Sequence, residues 1–445
     1  MAGGSVGFRR DIPVRHEPDV FVAGGGPAGI AAAVAAAREG RKVFLAEAQG
    51  CLGGMGTAGL VPAFMSFSDG EHFLAGGVGS EIYERCFKYG VQGPTDRYDR
   101  KHAALAIRPE ALKRLYDDLL LEAGVEFAFH TQVIAVEVRG GRVECAVCAA
   151  KSGLFAVRAR AYVDATGDGD LAAWAGAPFE KGGESGEMMP GTLCSIWTDI
   201  DWEAVRSSGL WPQGELPRAF GKGIFTVEDR HLPGIWQTGR ATGGGNVGHE
   251  FGVDGTDERS LTKALVEGRR RLLEYQRFFR EYLPGYSRVD LVATGALLGV
   301  RETRRIIGDY VLNVEDFVRR ASFPDEIGRF SYPVDMHAAR PDERSFRAFE
   351  DEFERFRYGP GESYGIPYRI LTPRGLDNLW VAGRCVSTDR RMQSSIRVMP
   401  GCFITGQAAG VAAAISAETG LGSRALDTKR LRSRLAEMGA YLPGA

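Results

Sequence analysis

A glycine-rich segment near the N-terminus is the feature that most restricts the fold of this 445-residue chain. Gly24, Gly26 and Gly29 have the spacing G-x-G-x-x-G, directly after the apolar run DVFVA (19–23) and at the start of an alanine-rich run (28–39). The first glycine permits a tight turn, the second lets the backbone approach a pyrophosphate, and the third lets the helix pack closely on the sheet. The pattern therefore predicts a strand, a phosphate-binding turn and a helix, in that order.

The next apolar run, KVFLAE, completes a βαβ unit and ends in Glu47. An acidic residue at this point is expected to accept hydrogen bonds from a ribose diol. The alternative is a plain glycine turn beside a surface glutamate, but the strand, the helix and the second strand all occur in the required order. We expect a Rossmann-like α/β domain that binds a dinucleotide.

Changes in composition divide the rest of the chain. Glycines and aromatic residues become frequent in the middle, and an α/β pattern returns near the C-terminus. We predict the N-terminal part of the cofactor domain at 16–180, an inserted α+β substrate domain mainly at 181–365, and the C-terminal part of the cofactor domain at 366–445. Residues 290–312 are expected to return to the cofactor domain.

Three features favour FAD over NAD as the dinucleotide. The glycine motif lies at the N-terminus without a second copy, a strand runs into the turn DATGD (164–168), and the segment WVAGR (380–384) precedes a small-residue helix that begins near Pro400. The N-terminus of that helix offers positive potential to a reduced flavin, which carries negative charge near N1 and O2.

These segments, together with CLGGMGTAGL, LLGVRETRRIIGDYVL, YPVDMH, YGIPYRIL and SSIRVMPGCFITGQAAGVAAA, resemble the broad family of FAD-dependent oxidoreductases of the glutathione-reductase type, with distant relatives among the fumarate-reductase flavoproteins. The resemblance runs from about Asp19 to Ala414 and specifies no substrate. It implies the following cofactor contacts: Gly24, Gly26, Pro27, Ala28, Gly29, Glu47, Gly53, Gly54, Thr57, Val133, Ala165, Thr166, Gly167, Asp168, Gly383, Arg384, Arg397, Pro400, Gly401 and Cys402.

Some members of the family attach FAD covalently through a histidine soon after the ribose-binding acid. No histidine lies between Glu47 and His72 here, so we expect noncovalent FAD. Cys51 is an alternative attachment or redox site, but a buried thiol is the simpler interpretation.

Histidine is the most frequent acid–base group in enzymes, and this chain has only seven histidines. His337 is the first candidate, because the family resemblance places YPVDMH near the domain junction and Asp335 can orient the ring. A hydrogen-bonded core histidine is the alternative interpretation. His249, after the GGGN turn, is the second candidate.

Arginines in two segments are candidates for binding an anion. Arg301 and Arg304 share a face if GVRETRR is helical, where they clamp a carboxylate or bind phosphate. Arg397, just before the Pro400 helix, is expected to face the flavin or an anionic substrate. For each of these arginines, the alternative interpretation is an ion pair with another residue of the protein instead of an anion-binding role. Tyr364, Tyr368 and Arg369 either line the same cleft or pack in the core.

Composition excludes several other classes of protein. The net charge of −2 gives no general attraction to nucleic acid or to an anionic membrane. No apolar run approaches the roughly 20 residues that span a bilayer, and residues 1–18 are interpreted as a loose polar arm without a secretory signal. We expect a cytoplasmic protein whose oligomeric state is open, with a homo-oligomer as one possibility.

The seven cysteines form no disulfide framework. Cys145 and Cys148 make a C-x-x-C, but they lie on a predicted strand and point to opposite faces. No partner histidine pair or second C-x-x-C is recognisable, so no metal site is predicted.

The sequence therefore predicts an enzyme that transfers two electrons, as a hydride at N5, between FAD and a small organic molecule. A flavin monooxygenase that uses NAD(P)H is the first alternative. A flavin-binding electron-relay subunit without its own substrate is the second, and the absence of a cysteine cluster for iron–sulfur ligation disfavours it.

Overall fold

A computed structural model of the chain describes residues 4, 6–7 and 9–443. Its strands, numbered in chain order, are β1 Val14–His16, β2 Val20–Ala23, β3 Val43–Ala46, β4 Ala63–Phe64, β5 Leu105–Ala106, β6 Glu126–Ala128, β7 Gln132–Arg139, β8 Arg142–Ala150, β9 Gly153–Val157, β10 Ala161–Asp164, β11 Phe179–Lys181, β12 Ser195–Thr198, β13 Gly234–Gln237, β14 Gly243–Asn246, β15 Asp290–Thr294, β16 Arg304–Ile306, β17 Glu326–Phe330, β18 Tyr364–Pro367 and β19 Leu379–Val381.

The α-helices, numbered in the same way, are α1 Pro27–Arg38, α2 Val78–Tyr89, α3 Pro109–Glu122, α4 Asp170–Trp174, α5 Trp202–Ser208, α6 Pro212–Phe220, α7 Glu258–Tyr282, α8 Val314–Arg319, α9 Glu343–Arg355, α10 Arg390–Ile396, α11 Met399–Thr419 and α12 Thr428–Glu437.

The central sheet has five parallel strands in the order β19-β10-β2-β3-β6. Strands β2 and β3 are completely buried, as their unbroken apolar sequences require when helices cover both faces of a sheet. The predicted βαβ unit is formed by β2, α1 and β3. The predicted Rossmann-like α/β fold class is thereby confirmed.

Two small-residue helices, α1 and α11, pack against each other without intervening side chains. A Cβ atom added at Gly406 would lie 2.1 Å from the carbonyl oxygen of Ala28, and one at Gly410 would lie 2.1 Å from that of Ala32. Glycine at these two positions lets the helices approach closely. This contact joins the N-terminal part of the chain to its C-terminal part.

A second, separate hydrophobic core contains buried residues from Leu193 to Leu298. Its sheet has the antiparallel order β13-β14-β12-β15, and α7 contributes Phe278 and Phe279 to this core. Strand β15 pairs with β12. Residues 290–294 therefore belong to the smaller sheet. The chain returns to the larger core after these residues, and not at residue 290 as the sequence analysis expected. The domain boundaries as a whole stay predictions.

The N-terminal arm is partly structured. Strand β1 pairs in parallel with β9, and the His16 ring stacks on Phe44 at a centroid distance of 3.9 Å. The interpretation of the whole arm as loose was therefore wrong for Val14–His16. Residues 1–3, 5 and 8 of the arm lie outside the described residues.

The predicted helical face for Arg301 and Arg304 was also wrong. Arg304 begins strand β16, which pairs with β11, and Arg301 lies in an irregular segment before it. The pairing of β16 with β11 takes the place of a helix here, although the two arginines have helical spacing. Both arginines lie where the chain passes from one core to the other.

One helix within the described residues, α11, is long and apolar enough to cross a membrane, and its apolar window is entirely buried in the protein.

Candidate active site

A cavity of about 460 Å³ lies where the carboxyl ends of β2 and β10 meet the N-termini of α1 and α11. In open parallel sheets this is the expected place for a ligand. The predicted site residues that line it are Gly24, Gly26, Pro27, Ala28, Glu47, Gly54, Val133, Ala165, Thr166, Gly167, Asp168, Gly383, Arg384, Cys402, Arg301, Arg397 and His337. The predicted residues outside its lining are Gly29, Gly53, Thr57, Pro400, Gly401 and His249.

The glycine motif forms the turn between β2 and α1. Gly24 has a φ of +94°, and a Cβ atom there would lie 2.6 Å from the carbonyl oxygen of Ala165. A Cβ atom at Gly29 would lie 1.8 Å from the carbonyl oxygen of Gly24, so Gly29 is needed for packing. At Gly26, by contrast, a Cβ atom meets only open space. No side chain caps α1, which leaves its first N–H groups free for phosphate oxygens.

The Glu47 carboxylate is held by the backbone at the end of β3. Its Oε2 accepts a hydrogen bond from the amide of Gly25 at 2.6 Å, and its Oε1 accepts one from the amide of Gln49 at 2.7 Å. Burial raises the pKa of Glu47, although these amides act in the opposite direction. Each oxygen keeps a further lone pair for a hydroxyl group in the cavity.

Gly53 and Thr57 position the following loop instead of lining the cavity. The Gly53 amide donates to the carbonyl oxygen of Gly25 at 2.8 Å, and the buried Thr57 hydroxyl donates to that of Leu52 at 2.5 Å. Cys51 is partly exposed, and its Sγ lies 3.8 Å from Thr57 Oγ1. Cys51 is not part of the cavity lining.

Arg384 and Asp168 connect the cofactor side of the cavity to the chain before β16. Arg384 Nη2 donates to Asp168 Oδ1 at 2.6 Å, and Arg384 Nη1 donates to the carbonyl oxygen of Val300 at 2.6 Å. Asp168 also accepts a hydrogen bond from the Thr303 hydroxyl at 2.7 Å. These groups are therefore paired within the protein as well as lining the cavity.

Helix α11 begins without a side-chain cap at Val398 and has Pro400 in its first turn, as predicted. Its residues Met399 and Cys402 line the cavity. Like α1, it presents an uncapped N-terminus, the positive end of its dipole, to the same space.

Two arginines and one carboxylate form the cationic wall, defined here as Arg301, Arg397 and Asp335. Arg397 Nη2 donates to Asp335 Oδ2 at 3.0 Å, while its buried Nε has no hydrogen-bond partner among the described residues. Arg301 is 7% exposed, and its acceptors among the described residues are neutral: the carbonyl oxygen of Pro190 at 2.8 Å and Thr192 Oγ1 at 3.0 Å.

Burial and the charge of Arg397 lower the pKa of Arg301 to about 10, so Arg301 remains a cation near neutral pH. The buried carboxylate of Glu302 pairs with Arg305 and Arg390 instead of with Arg301. Within the described part of the chain, Arg301 is therefore a buried cation with no carboxylate at ion-pair distance, although the charge of Asp335 acts on it from farther away.

His337 contacts both Asp335 and the second predicted histidine. Its Nε2 lies 3.3 Å from Asp335 Oδ2, and its Nδ1 lies 3.1 Å from His249 Nε2. Burial, followed by the nearby charge of Arg301, holds the pKa of His337 well below its usual value. Burial alone would raise the pKa of Asp335, but His337 and the arginines lower it overall.

His231 completes a group that sequence analysis did not recognise. The histidine cluster, defined as His231, His249 and His337, comes from three separate segments, and one ring nitrogen from each histidine lies within 4.8 Å of the other two. Burial and the neighbouring His249 lower the pKa of His231 to about 3. The only sequence signal was the scarcity of histidine.

Other predicted residues lie elsewhere. Tyr364 and Tyr368 are buried core residues, and Arg369 pairs with Asp325. The cavity is also lined by residues that the sequence did not single out, among them Thr192, Cys194 and Tyr332. No local pattern distinguishes these from ordinary core positions.

The open space at Gly26, the two uncapped helix N-termini and the unpartnered Arg397 Nε fit an anionic dinucleotide such as FAD.

Comparison with solved structures gives several proteins of similar length at low identity. A geranylgeranyl bacteriochlorophyll reductase-like protein from Thermoplasma acidophilum is 13% identical, with 96% of this chain and 84% of that chain covered and a TM-score of 0.48. A p-nitrophenol 4-monooxygenase from Pseudomonas putida is 12% identical, with coverages of 95% and 85% and a TM-score of 0.48. A myxobacterial chondrochloren halogenase is 14% identical, with coverages of 95% and 78% and a TM-score of 0.44.

A search of curated protein sequences gives no match. The family model described as FAD dependent oxidoreductase, however, matches residues 19–435, which include both the glycine motif and α11. With FAD as its cofactor, the chain belongs to the FAD-dependent oxidoreductase family.

Proposed function

We propose that this enzyme transfers two electrons between noncovalently bound FAD and a small organic anion. When bound, FAD supplies the redox chemistry by accepting or donating a hydride at N5. The protein binds and orients the substrate and handles the proton. We also infer a cytoplasmic location, in agreement with the sequence prediction.

The observation that carries the anionic substrate is Arg301. A buried charge without an opposite partner is costly, because burial removes its hydration. Arg301 lines the main cavity, where a carboxylate or similar group on the substrate would provide the missing partner. Arg397 adds positive charge to the same wall, although Asp335 already neutralises part of it.

The proposed proton-transfer site is the histidine cluster, with His337 as the member that lines the cavity. Oxidation of a substrate alcohol or amine removes a hydride and a proton from the substrate, and reduction adds both, so a residue at the cavity must accept or donate that proton. Asp335 orients the His337 ring. His249 behind it connects the ring to Asp229, at 3.2 Å from His249 Nδ1.

The test is anaerobic bleaching of the flavin in the purified holoprotein by pairs of carboxylates and their amides. We expect a carboxylate to reduce the flavin faster than its amide, and Arg301→Met to remove that preference. Arg305→Met is the matched control, since Arg305 is equally buried but pairs with Glu302 and lies outside the cavity lining. It should lower thermal stability without changing the preference.

Two other outcomes would overturn the proposal. Bleaching by NAD(P)H alone, with substrate consumed only when oxygen is present, would identify a flavin monooxygenase. Bleaching only by a reduced protein donor, with no response to any small molecule, would identify an electron-relay subunit.

A further inference from the structure

Three of the seven histidines of this chain meet at one point of the fold. His231 precedes β13, His249 follows β14, and His337 follows β17. His249 and His337 are 4% and 7% exposed, and His231 is half-buried at the edge. Three imidazoles are the protein ligands of one class of catalytic zinc site.

The hydrogen bonds of two of these rings determine where their lone pairs point. His249 Nδ1 lies 3.2 Å from Asp229, and His337 Nε2 lies 3.3 Å from Asp335. A carboxylate only accepts hydrogen bonds, so each of these nitrogens carries the ring proton when the ring is neutral. The opposite nitrogens, His249 Nε2 and His337 Nδ1, then carry the lone pairs, and they lie 3.1 Å apart.

Two acceptor nitrogens at this distance repel each other unless they share a proton or both lone pairs are directed at a metal ion lying beside the line that joins them. Two nitrogens bound to one zinc ion, each at about 2.0–2.1 Å, are separated by about 3.3 Å in tetrahedral geometry. The observed 3.1 Å is close to that separation. Carboxylates on the outer nitrogens are also the arrangement that fixes ring orientation in metal-binding histidines.

The space beside the cluster has the size of a single atom. A small cavity of about 10 Å³ is lined by all three histidines and Asp229, together with Arg230, Arg340 and several apolar residues. This is about the volume that one water molecule needs. A ligand set of three imidazoles suits a transition-metal ion such as zinc, and it does not suit magnesium or calcium, which prefer oxygen ligands.

We propose that His231, His249 and His337 bind one divalent transition-metal ion at the wall of the FAD cavity. Three protein ligands leave a fourth position for water, as in catalytic zinc sites. A water held there would be the proton donor and acceptor that the proposed function assigns to the cluster. Only this last step rests on the proposed function, since metal binding itself is independent of substrate.

The experiment measures metal content and affinity in the full-length holoprotein. After removal of metal with a chelator, the FAD-containing protein is titrated with Co²⁺ and, separately, with Zn²⁺. We expect about one ion per chain and visible d–d bands of Co²⁺ bound by three nitrogens. His231→Asn and His249→Ala should each abolish stoichiometric binding while FAD content is retained.

Asp229→Asn provides a graded test. The variant keeps all three imidazoles but weakens the hydrogen bond that His249 Nδ1 donates to residue 229. We therefore expect the affinity for Zn²⁺ to fall about 10–100-fold. His102→Ala is the control, because His102 is highly exposed and far from the cluster in sequence, and it should bind metal as the wild type does. If His249→Ala fails to fold, His231→Asn still decides the question, since His231 is only half-buried.

Failure of the wild-type holoprotein to bind Zn²⁺ or Co²⁺ would overturn the proposal, and a shared proton between His249 and His337 would then explain the 3.1 Å contact. Undiminished binding in His231→Asn and His249→Ala would also overturn it. Neither result changes the outcome of the bleaching experiment, so the two proposals fail separately.

Discussion

The cavity has two walls that are built in opposite ways. The glycine-rich wall uses backbone amides and small residues from a single stretch of chain, Gly24 to Gly54, with Glu47 as its one carboxylate. The cationic wall and the histidine cluster use long side chains from several distant segments, such as Arg301, His337 and Arg397. The first wall is fixed by local backbone geometry, and the second exists only after the two cores have assembled.

This difference matters for function. Backbone amides bind the phosphates of the cofactor independently of the substrate, so the same kind of glycine-rich wall can bind the cofactor in any member of the family. The charged side chains of the second wall can differ between enzymes with different substrates without any change in the glycine-rich wall. Substitutions in the first wall should therefore affect cofactor binding and folding, and those in the second should affect chemistry.

Gly29→Ala should have the largest effect. The added Cβ would lie 1.8 Å from the carbonyl oxygen of Gly24, and it would separate α1 from the turn. We expect a loss of stability of about 3 kcal/mol or more and little FAD in the purified protein. Gly214→Ala is the control, since a Cβ there meets nothing within 4 Å. A yellow, fully loaded Gly29→Ala protein would show that the glycine-rich wall is not fixed by backbone packing.

His337→Ala tests the second wall. We expect FAD content to be retained, while flavin reduction at saturating substrate slows about 10²–10⁴-fold, the usual effect of losing an acid–base group. Stopped-flow absorbance measures the rate per bound flavin, and His102→Ala serves as the exposed control. A lower melting temperature with an unchanged reduction rate would make His337 a structural residue and would erase the contrast between the walls.

Glu47→Ala should weaken FAD binding without altering the chemistry. Loss of a charged hydrogen bond costs about 1.5–3 kcal/mol, or about 10–100-fold in the FAD dissociation constant. The amides of Gly25 and Gln49 also lose their acceptor. The reduction rate at saturating FAD should stay at the wild-type value. An unchanged dissociation constant would place the ribose away from Glu47.

Cys51→Ser should have the smallest effect. Cys51 is outside the cavity lining, and within the described residues its thiol forms one weak hydrogen bond, to Thr57 Oγ1 at 3.8 Å. We expect unchanged FAD content, with intact FAD released from both proteins by mild denaturation. Flavin that stays with the precipitated wild-type chain but not with the variant would reveal a covalent bond at Cys51.

Much of the fold could be read from the sequence because its signals are local. The strands β2 and β3 and the helices α1 and α11 lie where apolar periodicity and the glycine and proline positions predicted them. The segment around Arg301 was misjudged, since the pairing of β16 with β11 depends on a strand more than one hundred residues earlier.

The sequence by itself determined the glycine-rich wall and the position of Glu47, because glycine conformations and the length of one βαβ unit leave few alternatives. The choice of FAD over NAD also required the DATGD turn, the WVAGR segment and the family resemblance. Only the tertiary structure decided that Arg301 is buried without a carboxylate partner among the described residues and that His231 joins His249 and His337. The physical reason is that burial and the convergence of side chains depend on how the two cores pack. His249 and His337 are 88 residues apart in sequence, and no short motif encodes their 3.1 Å contact.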